Sequence, residues 1–233
     1  MSYFDQGNSM QRTTPVVLNL IIINAIVFLL QNVVTAVDIQ QIGSLYYYKS
    51  SFFRPYQFVT YMFLHANFTH ILFNMYGLWL FGTMLERFLG PKKFFLLYFI
   101  SGIGAAIFVE ILTPYDAIQA AKNLMQHTDG QLSLSMLVDS YKENSAALGA
   151  SGAIMGLYGA FGYLFPNTEF YLFFIPIPIK AKYLITVFVL IDLFGGLYRI
   201  QGDNIAHFAH LGGAIVGFLV VLIWNKTNRN TFY

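Results

Sequence analysis

Six long apolar runs leave this chain few ways to fold. They cover residues 15–37, 68–86, 93–112, 146–165, 181–198 and 204–224. A helix of ~20 mostly apolar residues crosses the ~30 Å hydrocarbon core of a bilayer. Lipid offers nothing to an exposed peptide group, so a spanning segment must satisfy its own backbone. Long unbroken runs meet that demand as helices. The expectation is an all-α membrane protein, a bundle of six transmembrane helices. Composition agrees: 57% of residues are hydrophobic and 10% charged, against ~25% charged in ordinary soluble domains. A net charge of +2 without a basic cluster gives no reason to expect nucleic acid as a partner. The absence of cysteine excludes disulfides, thiolate metal sites and a cysteine nucleophile.

The segments between the runs set the organisation. Residues 1–14 are polar, with Arg12 as the single basic residue, and no A-x-A site follows the first run. That run is therefore expected to remain as a helix rather than to be cleaved as a signal peptide. Pro176 and Pro178 keep "FYLFFIPIP" out of the fifth helix and in a connecting loop. Residues 113–145 read as a long polar outer connection, with room for a short amphipathic helix around "LSLSMLVDSY". The domain reading is a short cytoplasmic segment (1–14), one six-helix domain (15–225) and a cytoplasmic tail (226–233). Placing the N-terminus inside puts Arg12, Arg87, Lys92, Lys93, Lys180, Lys182, Lys226 and Arg229 on the inner side. Lys49, Arg54, Lys122, Lys142 and Arg199 then fall outside. This moderate inward bias predicts that both termini are cytoplasmic.

That topology sorts the unusual polar residues by depth. His70, Ser151 and His210 each lie near the outer start of a helix, the second, fourth and sixth, on the order of 5–10 Å below the boundary at 1.5 Å per residue. Gly149, Gly152, Gly156 and Gly159 make a smooth face on helix four, and Gly213-x-x-x-Gly217 makes one on helix six. Small-residue faces let membrane helices approach backbone to backbone. Docking these two would bring the Ser151 hydroxyl towards the His210 imidazole, the geometry of an activated serine. Taken alone, Ser151 reads equally as packing filler, whereas an intramembrane histidine suggests function. His207 and His210, three apart, also have the spacing of metal ligands, but no cysteine and no nearby carboxylate is expected to complete such a site. His65 reads as an interfacial polar residue and His127 as a solvated one.

Three motifs then converge. "HILFNMYGLWLFG" (70–82), "GASGAIMGLYGA" (149–160) and "AHFAHLGGAIVG" (206–217) occur in that order on the second, fourth and sixth helices. Together they resemble the rhomboid family of intramembrane serine proteases, over nearly the whole chain. The resemblance implies a Ser151–His210 dyad that needs no acid and no cofactor or metal. It implies an oxyanion hole from His70, Asn74 and the Ser151 backbone N–H, with Gly149, Gly152, Gly213 and Gly217 packing around them. Met155 stands where many members carry an aromatic residue, so a shifted pocket is expected. Asp192 reads as a structural or loop-capping group. The implied partners are the bilayer and transmembrane protein substrates, admitted sideways between helices two and five, with residues 198–203 as a cap. The expected location is multi-pass in a bacterial inner membrane, with the site towards the outer face; the oligomeric state is left open. The alternative is a catalytically weak rhomboid-like protein that binds or escorts membrane clients. A proton-relay transporter would call for repeats or a full-depth polar path, and the sequence has neither.

Overall fold

The computed structural model describes residues 13–125, 133–172, 175–198 and 207–227. The N-terminal residues before 13, His127, the expected cap at 199–203 and the tail after 227 lie outside the described residues. Within them the chain is a helical bundle. The first helix, α1, runs Pro15–Val33. Phe68–Gly77, a π-helical turn at Leu78–Gly82 and Thr83–Leu89 follow one another without a break as α2. The others are α3 (Pro91–Met125), α4 (Leu134–Asn144), α5 (Ser151–Leu164), α6 (Ala181–Tyr198) and α7 (His207–Thr227). Short helical turns at Ile39–Gly43, Gln57–Thr60 and Tyr61–Phe63 connect α1 to α2. Among the described residues α1, α3 and α7 are long and apolar enough to cross a membrane.

Proline, glycine and buried carboxylate positions explain the boundaries. Pro15 opens α1, where its missing N–H costs nothing. The next two donors, Val16 N–H and Val17 N–H, bond to the two carboxylate oxygens of Glu86 at 3.0 and 2.8 Å. Glu86 is buried near the end of α2, so a negative charge caps the positive end of another helix and ties α1 to α2.

Three expectations are corrected. The connection at 113–145 does not leave the helix at 113: α3 continues to Met125, 35 residues and about 52 Å long. Its polar continuation keeps a helical seam, with Thr113, Ala117 and Ala121 buried at intervals of four, and Pro114 is absorbed inside the helix. The end of the segment holds the amphipathic helix α4, whose Ser133 side chain caps it by accepting from Met136 N–H. "FYLFFIPIP" is not simply a connecting loop: its described residues fall in two antiparallel strands, β1 (Glu169–Leu172) and β2 (Ile175–Lys180), a use of Pro that two-stranded edges tolerate. Helix four starts at Ser151 rather than 146, because Ala146–Ala147 pairs antiparallel with Leu45–Tyr46 and Gly149 then turns the chain.

The core sits where α5 lies between α3, α7 and α2. Gly102, Ala105 and Ser101 of α3 and Gly152 and Gly156 of α5 form one side. A Cβ on Gly156 would fall on the Ser101 side chain, and one on Gly152 would stand 2.7 Å from the Ala105 methyl. On the other side Gly213 and Gly217 of α7 press on α5, where a Cβ would fall on the carbonyl oxygens of Gly152 and Gly156 respectively. Gly159 completes the seam against the Ala214 carbonyl. Here two helix backbones touch along about two turns of α5. Towards the other end of α5, Phe81, Phe161 and Phe170 cluster with ring centroids 4.9–5.5 Å apart, while Tyr158 lies 4.3 Å from Phe81.

Candidate active site

Ser151 is the first residue of α5, so its N–H has no carbonyl behind it in the helix and points out of the helix's positive end. The approach to it is fixed from several sides. Gly149 N–H donates to the Tyr61 carbonyl at 2.9 Å, and the buried Tyr61 hydroxyl donates to the Gly102 carbonyl at 2.7 Å. Gly149 has φ +126°, a conformation that a side chain would strain. A Cβ there would also lie 2.8 Å from both Cε1 and Nε2 of His70 and 3.6 Å from Ser151 Oγ. The bare glycine thus lets an imidazole edge and a hydroxyl close on one small space.

His70 is oriented for that space. Asn67 caps α2 by accepting from His70 N–H at 2.9 Å, which sets the ring's helix position. Ala66 N–H donates to His70 Nδ1 at 3.3 Å. A neutral ring whose Nδ1 accepts carries its proton on Nε2, the atom beside Gly149. Asn74 lies one turn further on and is buried; its Nδ2 donates one hydrogen to the His70 carbonyl at 2.9 Å, leaving the second for another acceptor. His65, expected from sequence to be an interfacial polar residue, is fully buried in the protein, with its ring edge-on to His70 at 5.0 Å. The Phe63 carbonyl is near it, yet neither ring nitrogen makes a well-formed hydrogen bond. Burial, with the His70 ring adding, pushes its pKa down to about 3, so His65 is a neutral wall behind His70.

The glycine seam between α5 and α7 brings the other two expected residues together. Ser151 Oγ lies 2.8 Å from His210 Nε2. On the far side of the same ring, His210 Nδ1 lies 2.9 Å from Asp192 Oδ1 of α6. The sequence reads Asp192 as a structural or loop-capping group, and the structure sets it beside the histidine that meets Ser151. His207, one turn before His210, reaches the same oxygen with its Nδ1 at 2.9 Å. Asp192 and His207 are both buried, and among the described residues two ring nitrogens hold this carboxylate. At these distances the rings bond the carboxylate directly. Met155 is buried one turn after Ser151 on the same face of α5. Sequence reasoning placed no carboxylate near His210 because Asp192 is 18 residues away. The available signal was an acid in the middle of an apolar helix, which lipid makes costly without a partner.

The arrangement suits acyl transfer. It offers a hydroxyl that donates to an imidazole nitrogen, a second imidazole N–H and a helix-start N–H beside the same space, and close-packed walls.

Comparison with known proteins gives the family. The family model described as "Rhomboid domain" matches residues 53–226. Similar curated proteins include Rhomboid protein 1, mitochondrial, of Saccharomyces cerevisiae, 34% identical over 157 residues, covering 67% of this chain and 38% of the relative. RHOMBOID-like protein 12, mitochondrial, of Arabidopsis thaliana is 32% identical over 222 residues, 93% of this chain and 60% of the relative. Rhomboid protease AarA of Providencia stuartii is 30% identical over 175 residues, 70% of this chain and 53% of the relative. The chain thus spans between 38% and 60% of the length of these relatives. The matched region carries α2 to α7 and every residue of the site, and the chain belongs to the rhomboid family.

Proposed function

We propose that the chain is an intramembrane serine endopeptidase that cuts transmembrane protein substrates with Ser151 and His210. The single observation that carries this reading is the 2.8 Å contact between Ser151 Oγ and His210 Nε2 at the open end of α5. Ser151 Oγ attacks the scissile carbonyl carbon while its proton passes to His210 Nε2. The carbonyl oxygen becomes an oxyanion, met by Ser151 N–H and His70 Nε2–H, with the free Asn74 hydrogen within the same turn of α2. Collapse breaks the C–N bond, and His210 returns the proton to the leaving amine. Water then hydrolyses the acyl ester by the same route, with His210 again as base and acid. The chemistry needs no cofactor. Loss of one oxyanion donor costs on the order of 10²–10³ in rate.

The topology under this reading is six spans with both termini cytoplasmic, α2, α5 and α7 entering from the outer face. α2 reaches span length only as a composite of its three pieces, and α5 is a short, buried span of 14 residues within the bundle. Relatives named as mitochondrial, chloroplastic and bacterial are all similar, so they support a membrane but not the bacterial inner membrane in particular. The substrate is a membrane segment whose outer end can unwind into the site, approached between α2 and α6. The test is cleavage of a model transmembrane substrate in liposomes. Wild type is expected to cleave it, and Ser151→Ala and His210→Ala to fall by at least ~10³. Equal cleavage by all three would reject the assignment, and substrate binding without cleavage by wild type would favour a client-binding protein.

A further inference from the structure

We infer that Asp192 is a positioning residue for the reaction, making the working unit Ser151–His210–Asp192, with His207 as a second clamp on the acid. This rests on the proposed protease reading and deepens it.

The inference follows from hydrogen-bond bookkeeping around one ring. His210 can take the Ser151 proton only if Nε2 holds a lone pair, so the neutral ring must carry its hydrogen on Nδ1. A free imidazole does not settle that choice; here Asp192 Oδ1, 2.9 Å from Nδ1, does. When Nε2 accepts the serine proton, the ring becomes a cation in a poorly hydrated pocket, and the adjacent carboxylate compensates that charge. The acid itself needs holding, because a buried carboxylate on a single bond could turn away. His207 supplies the second bond to the same oxygen, also at 2.9 Å.

The sequence builds this clamp from two short patterns on antiparallel helices. Asp192 and Gly195 lie three apart on α6, and His207 and His210 lie three apart on α7. A Cβ on Gly195 would stand 2.5 Å from Cε1 and Nε2 of His207. The glycine therefore gives the His207 ring its slot, and that slot aims Nδ1 at Asp192. The titratable groups facing His210 come from four elements: Asp192 on α6, His207 on α7, Ser151 on α5 and His70 on α2. Among the described residues Asp192 is the only acid in this set.

The experiment uses the full chain in liposomes and compares wild type, Asp192→Asn, Asp192→Glu and His207→Gln. Asp192→Asn is expected to lower kcat by ~10²–10⁴ with KM changed by less than about threefold, the pattern of a wrong tautomer. The apparent pKa governing kcat/KM should fall by about one unit or more, because the imidazolium has lost its anion. Asp192→Glu should recover part of the rate, and His207→Gln should lose about tenfold or less. A purely structural role would leave the pH profile in place. Asp192→Asn with near wild-type kcat and an unshifted profile, beside an inactive Ser151→Ala, would overturn the inference and leave the protease reading intact. A second measurement stands apart from variant folding and from activity. In ¹⁵N-histidine-labelled wild type, His210, identified as the ring signal missing from His210→Ala, should show the Nδ1–H tautomer with a strongly downfield proton. The Nε2–H tautomer there would overturn the inference even if no substrate is cleaved.

Discussion

The two sides of α7 are built in opposite ways. Towards α5 it presents glycine, and the two backbones meet at Gly152–Gly213 and Gly156–Gly217 with no side chain between them. Towards α6 it presents two imidazoles that share one carboxylate oxygen, with Phe208 lying against Gly196. The first seam is steric and has no slack, which suits the element pair that must hold Ser151 and His210 at 2.8 Å. The second is polar and directional. Packing in a bilayer gains little from hydrophobic burial, so close backbone approach and buried hydrogen bonds are the two available ways to fix helices. This protein uses one on each side of the histidine that both must position.

Breaking the glycine seam should have the larger effect. Gly213→Val places atoms on the Gly152 carbonyl, and because that obstacle is backbone it cannot turn aside. The loss should exceed the ~1–3 kcal/mol of ordinary overpacking, seen as a lowered thermal unfolding midpoint in detergent together with lost cleavage. Retention of both would mean the helices are not docked as described. Next comes Gly149→Ala, which combines a strained φ of +126° with displacement of the His70 ring. Backbone strain of ~1–3 kcal/mol and a moved oxyanion donor should cost about 10²-fold in kcat, with most of the thermal midpoint kept. The smallest effect belongs to the polar seam's support. Gly195→Ala pushes on the His207 ring alone, so activity should fall by about tenfold or less, as for loss of one neutral hydrogen bond. A Gly195→Ala defect as deep as that of Gly213→Val would erase the distinction between the seams.

These seams also explain what was readable beforehand. Glycines at 149, 152, 156 and 159 and at 213 and 217 are a pattern in one dimension, so the approach of α5 to α7 could be argued from spacing. The Asp192 clamp could not. It joins residues 15 and 18 positions apart on different helices, and nothing local in "LIDLFGG" states which way the carboxylate faces. The start of α5 was misplaced for a related reason. Ala146 and Ala147 favour helix locally, yet they pair with Leu45 and Tyr46 about a hundred residues away. Composition likewise misled at 113–125, where polar residues suggested a loop but alanines at 117 and 121 continue a packed helical face. Nothing local to His65 states that its ring packs against His70, a contact that buries it completely.

Active-site labelling probes the Ser151–His210 pairing most directly. The full-length protein, in detergent, is treated with a fluorophosphonate and the adduct is located by mass spectrometry. An adduct on Ser151 alone, lost in His210→Ala although that variant keeps its hydroxyl and its fold, is the predicted result. An adduct that forms equally well without His210, or that settles on another serine, would contradict the pairing on which the account rests.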